Sequence, residues 1–203
     1  MCGICGIYSD NKVEREILVK MNGSLMHRGP DDEGYYLKEN FGFAMKRLSI
    51  IDLKTGSQPI HSFDKRYTIV FNGEIYNYRE LKHNYLRDYR FATDSDTEVV
   101  VNLYHKFGTS SFKFLNGMFA IAIYDNQSNE LIVARDRVGI KPVFYYYSNN
   151  KFLFASEAKS IYAYPELELT INYPVLNDYF TFGTIPSPFS IYREIRKLEP
   201  GKF

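Results

Sequence analysis

Four largely apolar runs follow one another between residues 118 and 155 with only short connections between them, and nothing else constrains the fold as strongly. Met118 to Tyr124, Leu131 to Arg135, Pro142 to Tyr147 and Phe152 to Ala155 are separated by polar stretches such as Asn126 to Asn129 and Asn149-Asn150. Short runs bounded in this way read as strands, and turn-length connections make them antiparallel hairpins. Upstream, Gly3 to Tyr8, Gly34 to Leu37, Phe41 to Ile51 and Tyr67 to Phe71 also read as strands. Val13, Ile17, Met21 and Leu25 recur at helical spacing until Gly29-Pro30, which predicts an amphipathic helix and its end.

Further helices are expected at Tyr78 to Asp88, Asp96 to Phe107, Ala158 to Tyr162 and Val175 to Phe182. The start of the second is well located, because Ser95-Asp96-Thr97-Glu98 fits a capping box ahead of Val99, Val100, Val101 and Leu103. This order of elements indicates the α+β class, with antiparallel sheet covered by helices. The 203 residues, 45% of them hydrophobic, suffice for one substantial core, assigned to residues 1–183. Residues 184–203, with Pro186, Pro188 and Pro200, read as an extended tail.

Lys and Arg number 25 against 24 Asp and Glu, so there is no basic excess of the kind a nucleic acid or an anionic lipid surface would select. No apolar stretch approaches the roughly 20 residues that span a bilayer. The first ten residues lack the basic and apolar regions of an export signal, so a cytoplasmic location is expected, with no nucleic-acid or membrane partner. The 18 Tyr and 16 Phe, with no Trp, suit the packing of pleated surfaces and are read as core.

Chemistry concentrates at the start. Cys2 and Cys5 are the two cysteines. If Met1 is removed, Cys2 carries a thiol beside its own α-amine, with ordinary pKa values of about 8.5 and about 7.7 to 8.0, so a nucleophile and its base share one residue. Alternatively, Cys2 is a small apolar residue at a frayed terminus. Cys2-Gly3-Ile4-Cys5 is also formally a C-x-x-C, but it opens no helix, and His27, His61, His83 and His105 are scattered singly, so a redox pair or a zinc site is disfavoured and no metal is expected. Asn72-Gly73-Glu74 is either a plain Asn-Gly turn or a pair of donors, the Asn72 amide and the Gly73 N–H, converging on an oxyanion. Arg47 and Asp96 have equally plain readings, a residue on the wet face of a strand and a helix-start acid.

Taken together, seven ordered blocks carry a resemblance. Met1-Cys2-Gly3-Ile4-Cys5-Gly6-Ile7, His27-Arg28-Gly29-Pro30-Asp31, Arg47-Leu48-Ser49-Ile50-Ile51-Asp52, Phe71-Asn72-Gly73-Glu74-Ile75-Tyr76-Asn77, Ser95-Asp96-Thr97-Glu98, Ala134 to Pro142 and Ser156-Glu157-Ala158-Lys159 occur in that order. The string resembles the glutaminase domain of class II glutamine amidotransferases, in the branch of the glutamine-hydrolysing asparagine synthetases. The resemblance covers nearly the whole chain. It implies an Ntn-hydrolase αββα sandwich of two antiparallel sheets, and an enzyme that hydrolyses the glutamine side-chain amide through a Cys2 thioester. It further implies that Asn72 and Gly73 form the oxyanion hole, that Arg47 grips the substrate α-carboxylate and that Asp96 accepts its α-ammonium. Leu48, Ser49, Ile50, Ile51 and Glu74 are expected to line the glutamine pocket. Glutamine carries a carboxylate, an ammonium and a carboxamide, and these residues supply one counterpart to each.

The resemblance implies no cofactor in this domain, with ATP and Mg expected in a following synthetase domain. That domain's S-G-G-x-D-S loop does not occur in these residues, so the ammonia is expected to serve a C-terminal domain or a separate synthetase subunit. The acceptor, aspartate or another carboxylate such as a sugar acid, stays open, as does association into a homodimer. A chain that keeps Met1 is expected to bind glutamine without hydrolysing it. His27 is read as a helix-end cap, and Arg135-Asp136-Arg137 with Gly139 and Pro142 as a salt-bridged turn outside the site.

Overall fold

The computed structural model describes residues 1–52, 55–165 and 167–203, and among these ten strands form two antiparallel sheets. The strands are β1 (Gly3–Ser9), β2 (Asp32–Leu37), β3 (Phe41–Arg47), β4 (Ile60–His61), β5 (Tyr67–Ile75), β6 (Gly117–Asp125), β7 (Glu130–Arg135), β8 (Phe144–Ser148), β9 (Lys151–Ala155) and β10 (Ile195–Lys197). The six-stranded sheet runs β10-β8-β9-β1-β3-β2, and the four-stranded sheet β4-β5-β6-β7. The helices are α1 (Arg15–Gly23), α2 (Tyr78–Tyr85), α3 (Asp96–Phe107), α4 (Ala158–Tyr162) and α5 (Leu176–Phe182). The hairpin turns fall where the asparagines are: Asn129, Asn149 and Asn150 take left-handed φ of 58°, 50° and 55°, a conformation asparagine tolerates well.

Alternation along the strands sorts the side chains into three cores. Between the sheets lie Ile4, Phe41, Phe43 and Met45 on one side and Val70, Ala120, Ala122 and Tyr124 on the other, with the Phe41 and Tyr124 rings stacked at 4.0 Å. On the outer face of the larger sheet, Leu18 and Met21 of α1, with Leu25 just beyond it, meet Cys5, Ile7, Ala44, Leu153 and Ala155. On the outer face of the smaller sheet, Leu81 of α2 and Val99, Val100 and Leu103 of α3 meet Ile69, Phe71, Ile121 and Ile123. Each fully buried Leu, Ile or Phe contributes about 1.5–3 kcal/mol. Helix, sheet, sheet, helix is thus the order of layers, the expected αββα sandwich.

Several elements differ from the expectation in ways that matter for the site. The strand expected to reach Ile51 stops at Arg47, where the chain curls so that Arg47 Nη2 donates to the carbonyls of Ile51 and Asp52 at 3.1 and 2.7 Å. The strand expected to stop at Phe71 continues to Ile75, so Asn72-Gly73 is not a turn but lies within β5 opposite Ala120 and Phe119. The tail is largely irregular, yet Ile195–Lys197 forms β10 on the edge of the larger sheet beside β8. The expected capping box is half made. Ser95 Oγ accepts the Glu98 N–H at 3.2 Å, while the Glu98 carboxylate turns to the N–H groups of Ala92 and Thr93.

Candidate active site

A cavity of about 130 Å³ opens where the ends of β1, β3 and β5 meet the N-terminus of α3. It is smaller than the roughly 300 Å³ at which drug-sized pockets begin, a scale suited to one small metabolite. Cys2, Arg47, Leu48, Ile50, Ile51, Asn72, Gly73, Glu74 and Asp96 all line it. Ser49 does not: its N–H donates to Asp31 Oδ2 at 2.8 Å, which fixes the loop from behind.

Cys2 precedes β1 and is held on two sides. The Leu48 N–H donates to its Sγ at 3.3 Å, and the Arg28 Nε donates to its carbonyl at 2.9 Å. Arg28 also donates through Nη1 to Glu157 Oε1 at 2.8 Å. Burial acts to raise the Glu157 carboxyl, but Arg28, His27 and Lys159 outweigh it and hold the group down at about 2. His27 therefore pairs with a carboxylate rather than capping carbonyls. Gly29 is required here, since a Cβ would lie 2.5 Å from the backbone of Lys46 and Arg47. Cys5 sits elsewhere, on the helix-facing side of the larger sheet, while Cys2 packs toward the core between the sheets. Residues three apart along a strand direction point to opposite faces. Burial pushes the Cys5 thiol up to about 12. Both cysteines are free, and no group of three His, Cys, Asp or Glu among the described residues is placed to hold a metal.

The edge of β5 away from β6 supplies the opposite wall. In an antiparallel pair, backbone groups of successive residues point alternately toward and away from the neighbour. Phe119, opposite Gly73, exchanges hydrogen bonds with Asp136 on its far side, its carbonyl accepting the Asp136 N–H at 2.9 Å. The N–H groups of Phe71, Gly73 and Ile75 thus project from one edge. Gln58 Oε1 accepts the first at 2.7 Å and Asp96 Oδ2 the third at 2.9 Å. Gly73, between them, presents its N–H at the cavity wall. Beside it Asn72 is 1% exposed, and its Nδ2 has no acceptor among the described residues. A Cβ at residue 73 would come within 2.2 Å of the Met118 carbonyl, so only glycine fits.

Asp96, the first residue of α3, is 5% exposed, and burial pushes its carboxyl up to about 6 despite the Ile75 hydrogen bond. Its carboxyl group forms part of the cavity wall. Arg47, equally buried, holds the 48–52 loop through Nη2, which donates to the Ile51 and Asp52 carbonyls.

Sequence reasoning missed several wall residues, Gln58, Thr97 and Lys141 among them. Gln58 brackets Phe71 and reaches Thr97 Oγ1 at 3.2 Å, Thr97 follows Asp96, and Lys141 lies beside Met1 and Cys2. The signal for Lys141 was a charged residue inside the 134–142 block, which was read as a salt-bridged turn. Instead the guanidinium groups there bond to carbonyls, Arg135 to Gly139, Lys141 and Leu198, and Arg137 to Lys113 and Leu115. The Asp136 carboxylate collects the N–H groups of Phe119, Val138, Ile140 and Lys141.

Two face-to-face antiparallel sheets between helical layers, with a cysteine at the head of a central strand facing the cavity, define the Ntn-hydrolase sandwich. Two solved folds share this architecture. The glutamine phosphoribosylpyrophosphate amidotransferase of Bacillus subtilis, complexed with ADP and GMP, superposes with a TM-score of 0.67 at 22% identity, over 80% of this chain and 43% of that one. A structure described as the allosteric regulatory enzyme of purine biosynthesis gives 0.73 at 20% identity, over 98% and 45%. The chain belongs to the family described as the glutamine amidotransferase domain, which it matches over residues 1–203. It is 39% identical to asparagine synthetase (glutamine-hydrolyzing) 1 of Bacillus subtilis strain 168 over 99% of its length. It is 41% identical to a putative asparagine synthetase (glutamine-hydrolyzing) 2 of Methanocaldococcus jannaschii over 98% of its length. It spans 33% and 42% of those relatives.

Proposed function

We propose that this domain hydrolyses the side-chain amide of glutamine through a glutamyl thioester on Cys2. The ammonia serves an ATP-dependent synthetase domain or subunit, with asparagine formation the reaction served. Removal of Met1 frees the α-amine of Cys2, which takes the thiol proton as the sulfur attacks the amide carbon. The negative charge that develops on the amide oxygen falls to the Asn72 Nδ2 and Gly73 N–H donors. The protonated α-amine returns its proton to the departing ammonia, and water then cleaves the thioester to glutamate. Arg47 takes the substrate carboxylate and Asp96 its ammonium. Leu48, Ile50, Ile51 and Glu74 shape the wall, and Ser49 anchors the loop through Asp31. The chemistry needs no cofactor in this domain; ATP and Mg belong to the synthetase step.

The observation that carries this reading is the Asn72 amide, buried and without an acceptor among the described residues, beside the Gly73 N–H in the same cavity as the Cys2 thiol. A buried donor left unpaired costs about 1–3 kcal/mol, a cost that recurs at sites built to bind something. Glutamate release from glutamine by protein of confirmed Met-free mass, compared with Cys2→Ala, tests it. The reading fails if the Met-free protein releases none, or if the alanine variant is equally active. Met1 lines the cavity and its thioether contacts Lys141, which supports a second state, with Met1 retained, that binds glutamine without turnover.

A further inference from the structure

Lys141 is a buried cation that this scheme leaves unused. It is 4% exposed and lies in the cavity wall with Met1 and Cys2. Its Nζ donates to the Met1 thioether at 3.2 Å, a weak acceptor for an ammonium with three donors. The backbone of Lys141 is fixed independently, its N–H donating to Asp136 Oδ2 at 2.9 Å and its carbonyl accepting Arg135 Nε at 2.8 Å. The turn therefore does not need the side chain to enter the cavity. Burial and the neighbouring Arg28 pull the ammonium below the ordinary lysine range, while Cys2, Asp136 and Glu74 favour its charged form. Arg47 and Asp96 face the same cavity, and the Asp136 carboxylate is already engaged by backbone N–H groups. Met1 is the residue that must leave before Cys2 can act, and its departure removes the thioether from Nζ.

We propose that Lys141 is a positioning residue for the nucleophile: once Met1 is gone, its ammonium faces the Cys2 terminus, favouring the thiolate and disfavouring a protonated α-amine beside it. The inference rests on the N-terminal thiol reading. In general a cation within about 4–6 Å favours a thiolate over a thiol and a neutral amine over an ammonium, each by roughly 1–3 pKa units.

The test uses Met-free wild type, Lys141→Met, Lys141→Gln, which keeps a donor without the charge, and Lys141→Arg. Two pH profiles are read, Cys2 alkylation by iodoacetamide and kcat/KM for glutamine hydrolysis. Both midpoints should rise by about one unit in the Met and Gln variants, a roughly tenfold loss below the midpoint that closes at high pH. Arg should restore both, and KM should change little. The proposal is overturned if folded Met or Gln variants keep the wild-type midpoints, or if Arg shifts them as far as Met. A shifted alkylation midpoint in protein that never makes glutamate would uphold Lys141 and sink the glutaminase reading. Active wild type with unshifted variants would sink Lys141 alone.

Discussion

Asp96→Asn separates what a buried charge costs the fold from what it does for the ligand. Burial raises the Asp96 carboxyl from 3.8 to about 6, against the opposing bond from the Ile75 N–H. About two units, at about 1.4 kcal/mol each, make ionised Asp96 a burden of up to about 3 kcal/mol on the folded domain. Because the folded value lies above the unfolded one, this group's stabilising contribution is complete below about pH 3.8 and is lost as pH rises through about 6. Asparagine keeps an acceptor for the Ile75 N–H and removes the charge. At pH 8 the variant should be more stable than wild type, and at about 2–4 °C per kcal/mol for a chain of this length the gain in Tm is roughly 5–10 °C. Toward pH 4 the two melting curves should converge. Glutamine affinity should move the other way, falling at pH 8 by roughly 100-fold with loss of the ammonium's partner, on the scale of a buried charge-assisted bond. Scanning calorimetry between pH 4 and 8, with ligand titration at pH 8, reads both. Tm profiles that run parallel across that range would refute the reasoning.

Asn72→Ala should lower kcat for glutamine hydrolysis by about 100- to 1000-fold with little change in KM, as expected for an oxyanion donor; a change confined to KM would reassign it to ground-state binding. Gly73→Ala places a Cβ 2.2 Å from the Met118 carbonyl and 2.8 Å from the Phe119 Cα, both backbone atoms that cannot yield, so a loss of roughly 3 kcal/mol in urea unfolding is expected. With the Cys5 thiol up at about 12, iodoacetamide at pH 8 should label one cysteine in the folded chain and two in urea, which intact mass resolves.

The β6–β7 and β8–β9 hairpins were legible because turn chemistry and strand propensity are local, but the expected β7–β8 hairpin does not form, since the chain crosses there from the smaller sheet to the larger. The start of α3 was legible too, its cap written in Ser95. The order of the layers was not local. Only the resemblance supplied it, since alternation identifies two faces of a strand without saying what covers each. The limits of β3 and β5 were misjudged for one reason: tertiary partners decide them. Arg47 draws the following carbonyls out of the strand, and β6 carries Asn72 and Gly73 straight through what reads locally as a turn. Asn72, Arg47 and Asp96 were individually unremarkable and gained meaning as a set. Lys141 escaped notice because its neighbours suggested a charged turn, and only the folded chain brings it 140 residues back to Met1.

The most direct test of the central claim is mass analysis of Met-free protein, acid-quenched during glutamine turnover and digested. The peptide beginning at Cys2 should carry a glutamyl adduct, strongly depleted in Asn72→Ala and absent in Cys2→Ala. Glutamate formed steadily with that peptide unmodified, or an adduct on any other residue, would contradict it.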